Sequence, residues 1–179
     1  DVEKAKEYLE AGLEEMGLDE LPPVELSYNT SEAHAAIAQA VQDMWRQNLG
    51  VDVTLRNEEW NVYLDSMGNG DFYAGRMGWL ADFNDAISFL EIFQSVGGNN
   101  YTNWENEEFA SLLEQSRSET DEAARKEIMR EAEAIFMEEM PIAPVYFYTN
   151  SWLNKDYVRG LEVSALGSVQ FKWTYLVEE

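Results

Sequence analysis

Residues 24–55 read VELSYNTSEAHAAIAQAVQDMWRQNLGVDVTL, and the fold class turns on them. Val24, Leu26 and Tyr28 alternate with polar residues, the period-two pattern of a half-buried strand. Asn29-Thr30-Ser31 supplies a turn and a helix cap. Ala33, Ile37, Ala40, Val41, Met44 and Trp45 then fall at offsets 0, 4, 7, 8, 11 and 12, an apolar stripe of helical period ending near Gly50. Val51, Val53 and Leu55 alternate again as a second strand. Strands alternating with helices, continued to Trp79, imply an α/β domain whose mixed sheet is at least partly parallel and flanked by helices.

Outward from this stretch, Val2, Ala5, Leu9, Leu13 and Met16 lie three or four apart among Glu and Lys, an amphipathic helix stopped by Gly17. On the other side Asn57 is placed to cap a short helix through Met67, which Gly68-Asn69-Gly70 ends. Asp71 to Trp79 reads as a third strand, its glycines suggesting close approach by another backbone. Residues 80–104 carry Asp, Asn, Gly and five aromatics with little periodicity. They read as a functional loop with a helical turn around Ser88–Phe93. Two helices follow, one on Phe109, Leu112 and Leu113, the other capped by Thr120, carrying Ala124, Ile128, Ala132, Ile135 and Phe136, and closed by Pro141. Ile142 to Thr149 and Val169 to Val177 are read as further strands.

The chain has 179 residues, with 35 acidic and 12 basic side chains and a net charge of −23. That balance argues against a nucleic-acid grip. Hydrophobic residues at 45% and aromatics at 13% are enough to bury a core, so the chain is globular and a single domain is expected. With no cysteine there is neither a disulfide nor a thiolate metal site. No run approaches the roughly 20 apolar residues of a membrane span, and the start, Asp1-Val2-Glu3-Lys4, lacks a signal-peptide layout. Beginning inside a helix pattern without Met, the chain is expected to be a processed protein or a piece of a longer one. Acid gathers on helices, with eight acidic and two basic residues over 1–20 and twelve and four over 104–140, which reads as solvated outer faces.

Phosphate loops, dinucleotide fingerprints, His-Glu-x-x-His and Gly-x-Ser-x-Gly are absent from the sequence. A single histidine cannot build a multi-histidine metal site, and no cofactor is expected. His34, in the first turn of the helix beginning near Ser31, is either a packing histidine or a donor to a carboxylate bound at the helix N-terminus. Asp82 and Asp85 are either turn formers or an acid–base pair of the kind that cleaves glycosides. The run Gly75 to Asn84 sets Arg76, Trp79 and Asp82 at the end of a strand, where open α/β sheets bind ligands. Opposite charges held apart by aromatic surface suit a zwitterion such as a peptide or amino acid. An internal Arg–Asp pair is the alternative.

Gly78-Trp79-Leu80-Ala81-Asp82-Phe83-Asn84-Asp85, with Tyr28-Asn29-Thr30-Ser31-Glu32-Ala33-His34 upstream and Pro144-Val145-Tyr146-Phe147-Tyr148 downstream, closely resembles the oligopeptide-binding proteins of bacterial ABC importers. These belong to the solute-binding family that also holds dipeptide and nickel receptors. Leu49-Gly50-Val51-Asp52-Val53, Glu59-Trp60 and Asn99 to Trp104 match in the same order. The resemblance implies a periplasmic-binding-protein-like lobe, the C-terminal one of a two-lobed extracytoplasmic receptor. It implies a binding module rather than an enzyme. The implied partners are an oligopeptide, the N-terminal lobe and the importer's membrane subunits.

By the same resemblance Asp82 receives the peptide's α-ammonium, while Arg76 and His34 meet its carboxylate. Trp60, Trp79 and Tyr148 line side-chain pockets or the backbone channel, and Asn29 joins the ligand-binding set. Leu80 and Ala81 match a stretch whose backbone pairs with the extended peptide like an added strand. Leu80 departs from the cysteine of some relatives, which matters little for a backbone contact. The last strand, Val169 to Tyr175, is expected to lack its neighbour and to present an edge for self-association.

Overall fold

The computed structural model describes residues 1–164 and 166–178, and these form two compact units, Asp1–Gly78 and the chain from Trp79 on. The first unit runs α1 (Val2–Met16), β1 (Val24–Asn29), α2 (Glu32–Leu49), β2 (Val53–Glu58), α3 (Trp60–Asn69) and β3 (Ala74–Gly75). Its sheet is parallel, in the order β2-β1-β3. β1 and β2 register from Val24 opposite Val53 to Asn29 opposite Glu58, and β3 adds Ala74 and Gly75 opposite Leu26 and Ser27. The core beneath is Val24, Val51 and Val53, against which Leu9 of α1 and Leu26, Leu49 and Leu55 pack. Asp1 caps α1 by accepting the Lys4 N–H, and Gly17 and Gly50 end α1 and α2 in the left-handed conformation.

Local signals placed these elements well, and their errors have physical causes. α2 has the expected span, but its fully buried point is Ala38, while Ala33, Ala40 and Met44 face solvent. Alanines carry little apolar weight, so the face turned inward is chosen by the sheet rather than by the stripe. Asn57 does not cap α3, because β2 continues through Glu58; Glu59 is the cap, accepting the Asn61 N–H. The third strand shrinks from Asp71–Trp79 to Ala74–Gly75. Gly75 is indeed tightly approached, though by a side chain. A Cβ there would lie 2.6 Å from the Met67 Sδ.

The second unit contains α4 (Ile87–Leu90), continued by a 3-10 turn at Glu91–Phe93, then α5 (Glu107–Ser118) and α6 (Glu122–Glu139). Asn106 and Asp121 cap the longer helices, so the cap falls one residue beyond Thr120. α5 and α6 bury Phe109, Leu113, Ala132 and Phe136 against one another, with Phe93 and Trp104 packed on top. The Phe93 and Phe136 rings are 4.6 Å apart, and Trp104 meets Phe109 and Phe136 edge-on.

Beyond α6 the aromatic-rich segments do not form the expected strands. Residues 142–149 run without regular pairing, since an extended segment becomes a strand only when another edge supplies its hydrogen bonds. The Val169–Val177 strand is broken by a turn closed by Thr174 N–H to the Phe171 carbonyl. Its two ends pair separately as antiparallel ribbons. β4 (Val158–Arg159) takes β7 (Tyr175–Leu176), and β5 (Glu162–Val163) takes β6 (Val169–Gln170). The expected unpaired edge is thus partly satisfied within the chain.

Candidate functional site

In the first unit the three parallel strands deliver their carboxyl ends to one side of the sheet, the place where open α/β sheets bind ligands. Asn29 ends β1, and its side-chain oxygen is enclosed without a hydrogen-bond partner among the described residues. His34 lies in the first turn of α2, whose N-cap residue Ser31 makes no side-chain cap. Burial, and then the nearby Arg76 guanidinium, lower the imidazole's pKa, so it stands neutral at physiological pH. Its Nδ1 is likewise enclosed without a partner.

Arg76 follows β3 directly. Its N–H donates to the Ser27 carbonyl at 2.9 Å, and its own carbonyl accepts the Tyr63 hydroxyl at 2.7 Å. Tyr63 is wholly buried, and its hydroxyl also lies 3.2 Å from the Ser27 oxygen. Burial pushes the phenol up to about 12, which keeps it protonated as the donor that ties α3 to the ends of β1 and β3. Trp60 opens α3 about half exposed, its ring 6.5 Å from that of Tyr63.

The second unit begins with Trp79, Leu80, Ala81 and Asp82, a run in no regular element. Leu80 is 77% exposed, and Asp82 is exposed too. What holds the run is Ser88 of α4, which is 1% exposed. The Trp79 indole N–H donates to the Ser88 carbonyl at 2.9 Å, and the Asp82 backbone N–H donates to the Ser88 Oγ at the same distance. An open cleft of about 300 Å³ lies here, lined among others by Trp79, Asp82, Ser88, Glu91, Gly97 and Gly98. Asn100, nearly fully buried, braces the loop behind it by donating to the Ser95 and Trp104 carbonyls and accepting from Thr102. Tyr148 sits in the extended segment after α6, edge-on to Tyr146 at 4.9 Å.

Asp85 is no partner for Asp82. Both its oxygens are held by the Arg125 guanidinium of α6, at 2.7 and 3.0 Å, and one also accepts the Ile87 N–H. That clamp keeps its carboxyl below the usual carboxylate range. A carboxylate so fixed is a poor general acid, which counts against Asp85 as the acid of such a pair.

The sequence profile of bacterial extracellular solute-binding proteins, family 5 (middle region), matches residues 1–101. This chain belongs to that family. The family 5 chain is 56% identical to the oligopeptide-binding protein OppA of Bacillus subtilis, in an alignment covering 98% of this chain and 33% of the relative. It is 40% identical to the dipeptide-binding protein DppE of the same organism, over 95% and 31%. The crystal structure of Haemophilus influenzae OppA in complex with the peptide RPPGFSPFR superposes with a TM-score of 0.84 at 30% identity, over 99% of this chain and 35% of that one. The periplasmic-binding-protein-like α/β fold is thereby borne out. The chain spans about a third of the length of these relatives.

Within the family 5 chain, Asn29, His34 and Arg76 gather at the sheet end of one unit, and Trp79, Leu80, Ala81 and Asp82 line up along one run of the other. The residues that hold them were invisible beforehand. Tyr63 draws no reading within its short helix, Ser88 reads only as part of a helical turn, and Asp85 as a turn former or catalyst. A serine set among apolar residues in Ile87-Ser88-Phe89-Leu90 is the one signal the sequence offers for Ser88.

Proposed function

We propose that the chain is the C-terminal lobe of a two-lobed extracytoplasmic receptor that delivers oligopeptides to an ABC importer, binding them without catalysis. Asp82 takes the α-ammonium, and Arg76 with His34 faces the peptide carboxylate. The backbone of Leu80 and Ala81 adds to the extended peptide as a strand, while Asn29, Trp60, Trp79 and Tyr148 line its path. Main-chain pairing is the same for every sequence, which suits a receptor of broad selectivity. The observation that carries the reading is Asp82: an exposed carboxylate beside an indole at an open cleft, its backbone fixed by a buried serine. The likeness to an oligopeptide-binding relative supports it. A dipeptide receptor is the second reading, favoured by the 40% identity to a dipeptide-binding protein. On this reading the rest of the receptor supplies the other lobe and completes the enclosure of the ligand, in keeping with a chain that covers about a third of its relatives.

The test is calorimetry on the intact receptor carrying this chain, with tetraalanine and N-acetyl-tetraalanine. A charge-assisted bond of about 1.5–3 kcal/mol corresponds to roughly a 10- to 150-fold preference for the free amine. Asp82→Ala is expected to abolish that preference. If it survives the substitution intact, the ammonium role is wrong.

A further inference from the structure

The Asp82 run has no secondary structure of its own, yet both groups it presents to the cleft are bound to one residue. Ser88 accepts the Asp82 N–H on its Oγ and the Trp79 indole N–H on its carbonyl. It is 1% exposed and belongs to a helix of only four residues, too short to stand unaided. That helix is held by Asp85, whose backbone carbonyl accepts the Ser88 N–H at 3.1 Å and whose side chain accepts the Ile87 N–H at 2.9 Å. Asp85 is gripped in turn by both arms of Arg125. The Arg125 Nε donates to the Ser116 carbonyl in the last turn of α5 at 3.0 Å. An unbroken set of bonds therefore runs from the packed α5–α6 pair through Arg125, Asp85 and Ser88 to Asp82 and Trp79.

We propose that Ser88 is the positioning residue of the ammonium site, fixing Asp82 and Trp79 together, with the Asp85–Arg125 pair anchoring it to the helical core. A carboxylate on an irregular, exposed run must otherwise be ordered when the ligand binds, and that ordering subtracts from affinity. The inference deepens the peptide-receptor reading and rests on it. It makes Ser88 matter for the free amine specifically, because its Oγ acts on the backbone that carries the Asp82 carboxylate.

The experiment compares tetraalanine with N-acetyl-tetraalanine on the intact receptor, as wild type, Asp82→Ala, Ser88→Ala and the double variant. Ser88→Ala is expected to cut the preference for the free amine about fivefold, the size of one lost neutral hydrogen bond, and to leave affinity for the acetylated peptide within about twofold. In the Asp82→Ala background Ser88→Ala should change neither affinity by more than twofold, since the group it positions is gone. Arg125→Lys, which keeps the charge but loses the two-armed grip, should shift the preference in the same direction by less and serves if Ser88→Ala does not fold. Equal losses for both peptides, or a Ser88 effect undiminished without Asp82, would overturn the positioning role while leaving the ammonium role standing. No preference for the free amine in the wild type would remove the underlying reading, and this inference with it.

Discussion

Among single residues, His34 offers the most direct check, because it is the only histidine in the chain. Its imidazole signal in an NMR titration needs no assignment. Burial and Arg76 both disfavour the charged form, so the midpoint is expected below the ordinary 6.5. The sign for stability follows. With the folded pKa below the unfolded one, the unfolded chain takes the proton first, so the chain holds the full His34 contribution to its stability above pH 6.5. It loses that contribution as pH falls toward the folded pKa. An observed midpoint at or above 6.5 would contradict this placement of Arg76 and the enclosure of the ring. The residue types at Asp82, Arg76 and His34 were legible before any coordinates, since charge and donor capacity belong to the side chain itself. Which atoms hold them was not.

Among elements, the short helices α3 and α4 do the positioning, each through one buried residue. Tyr63 on α3 ties the backbone of Arg76 and Ser27, and Ser88 on α4 ties Trp79 and Asp82. Tyr63→Phe leaves the Arg76 carbonyl without its buried donor, while the Ser27 carbonyl keeps the Arg76 N–H, and is expected to cost about 1–2 kcal/mol, read as a lowered urea midpoint at unchanged slope. A change below about 0.5 kcal/mol would mean that water replaces the hydroxyl and that α3 is held by packing alone. The long elements were legible because their periodicity repeats over many residues, as in α1, α2 and the alternating β1. The third strand and the segments beyond α6 were not. Whether extended chain becomes strand depends on a neighbouring edge, which local sequence does not specify.

In the whole molecule, apolar side chains beyond α6 stand in water. Phe147 is 96% exposed and Leu153 fully so, with Trp152, Phe171 and Trp173 each more than half exposed. On the two-lobed reading the rest of the receptor covers them and encloses the peptide. The 179 residues alone are therefore expected to bind tetraalanine too weakly for calorimetry and to bind the dye ANS more strongly than the intact receptor does. Submicromolar peptide binding by the isolated chain would contradict this. The charge of −23 sits mainly on helices, and residues 104–140 carry twelve acids against four bases without supplying Asp82. By itself the sequence determined the α/β class, the spans of the long helices and the chemistry available at the site, because each is written in residue type or short-range period. The tertiary structure alone decided that Asp85 serves Arg125, 40 residues away, and that Tyr63 reaches Ser27 across 36. Those bonds depend on which distant backbones the packed core brings within about 3 Å, and no local pattern records that distance.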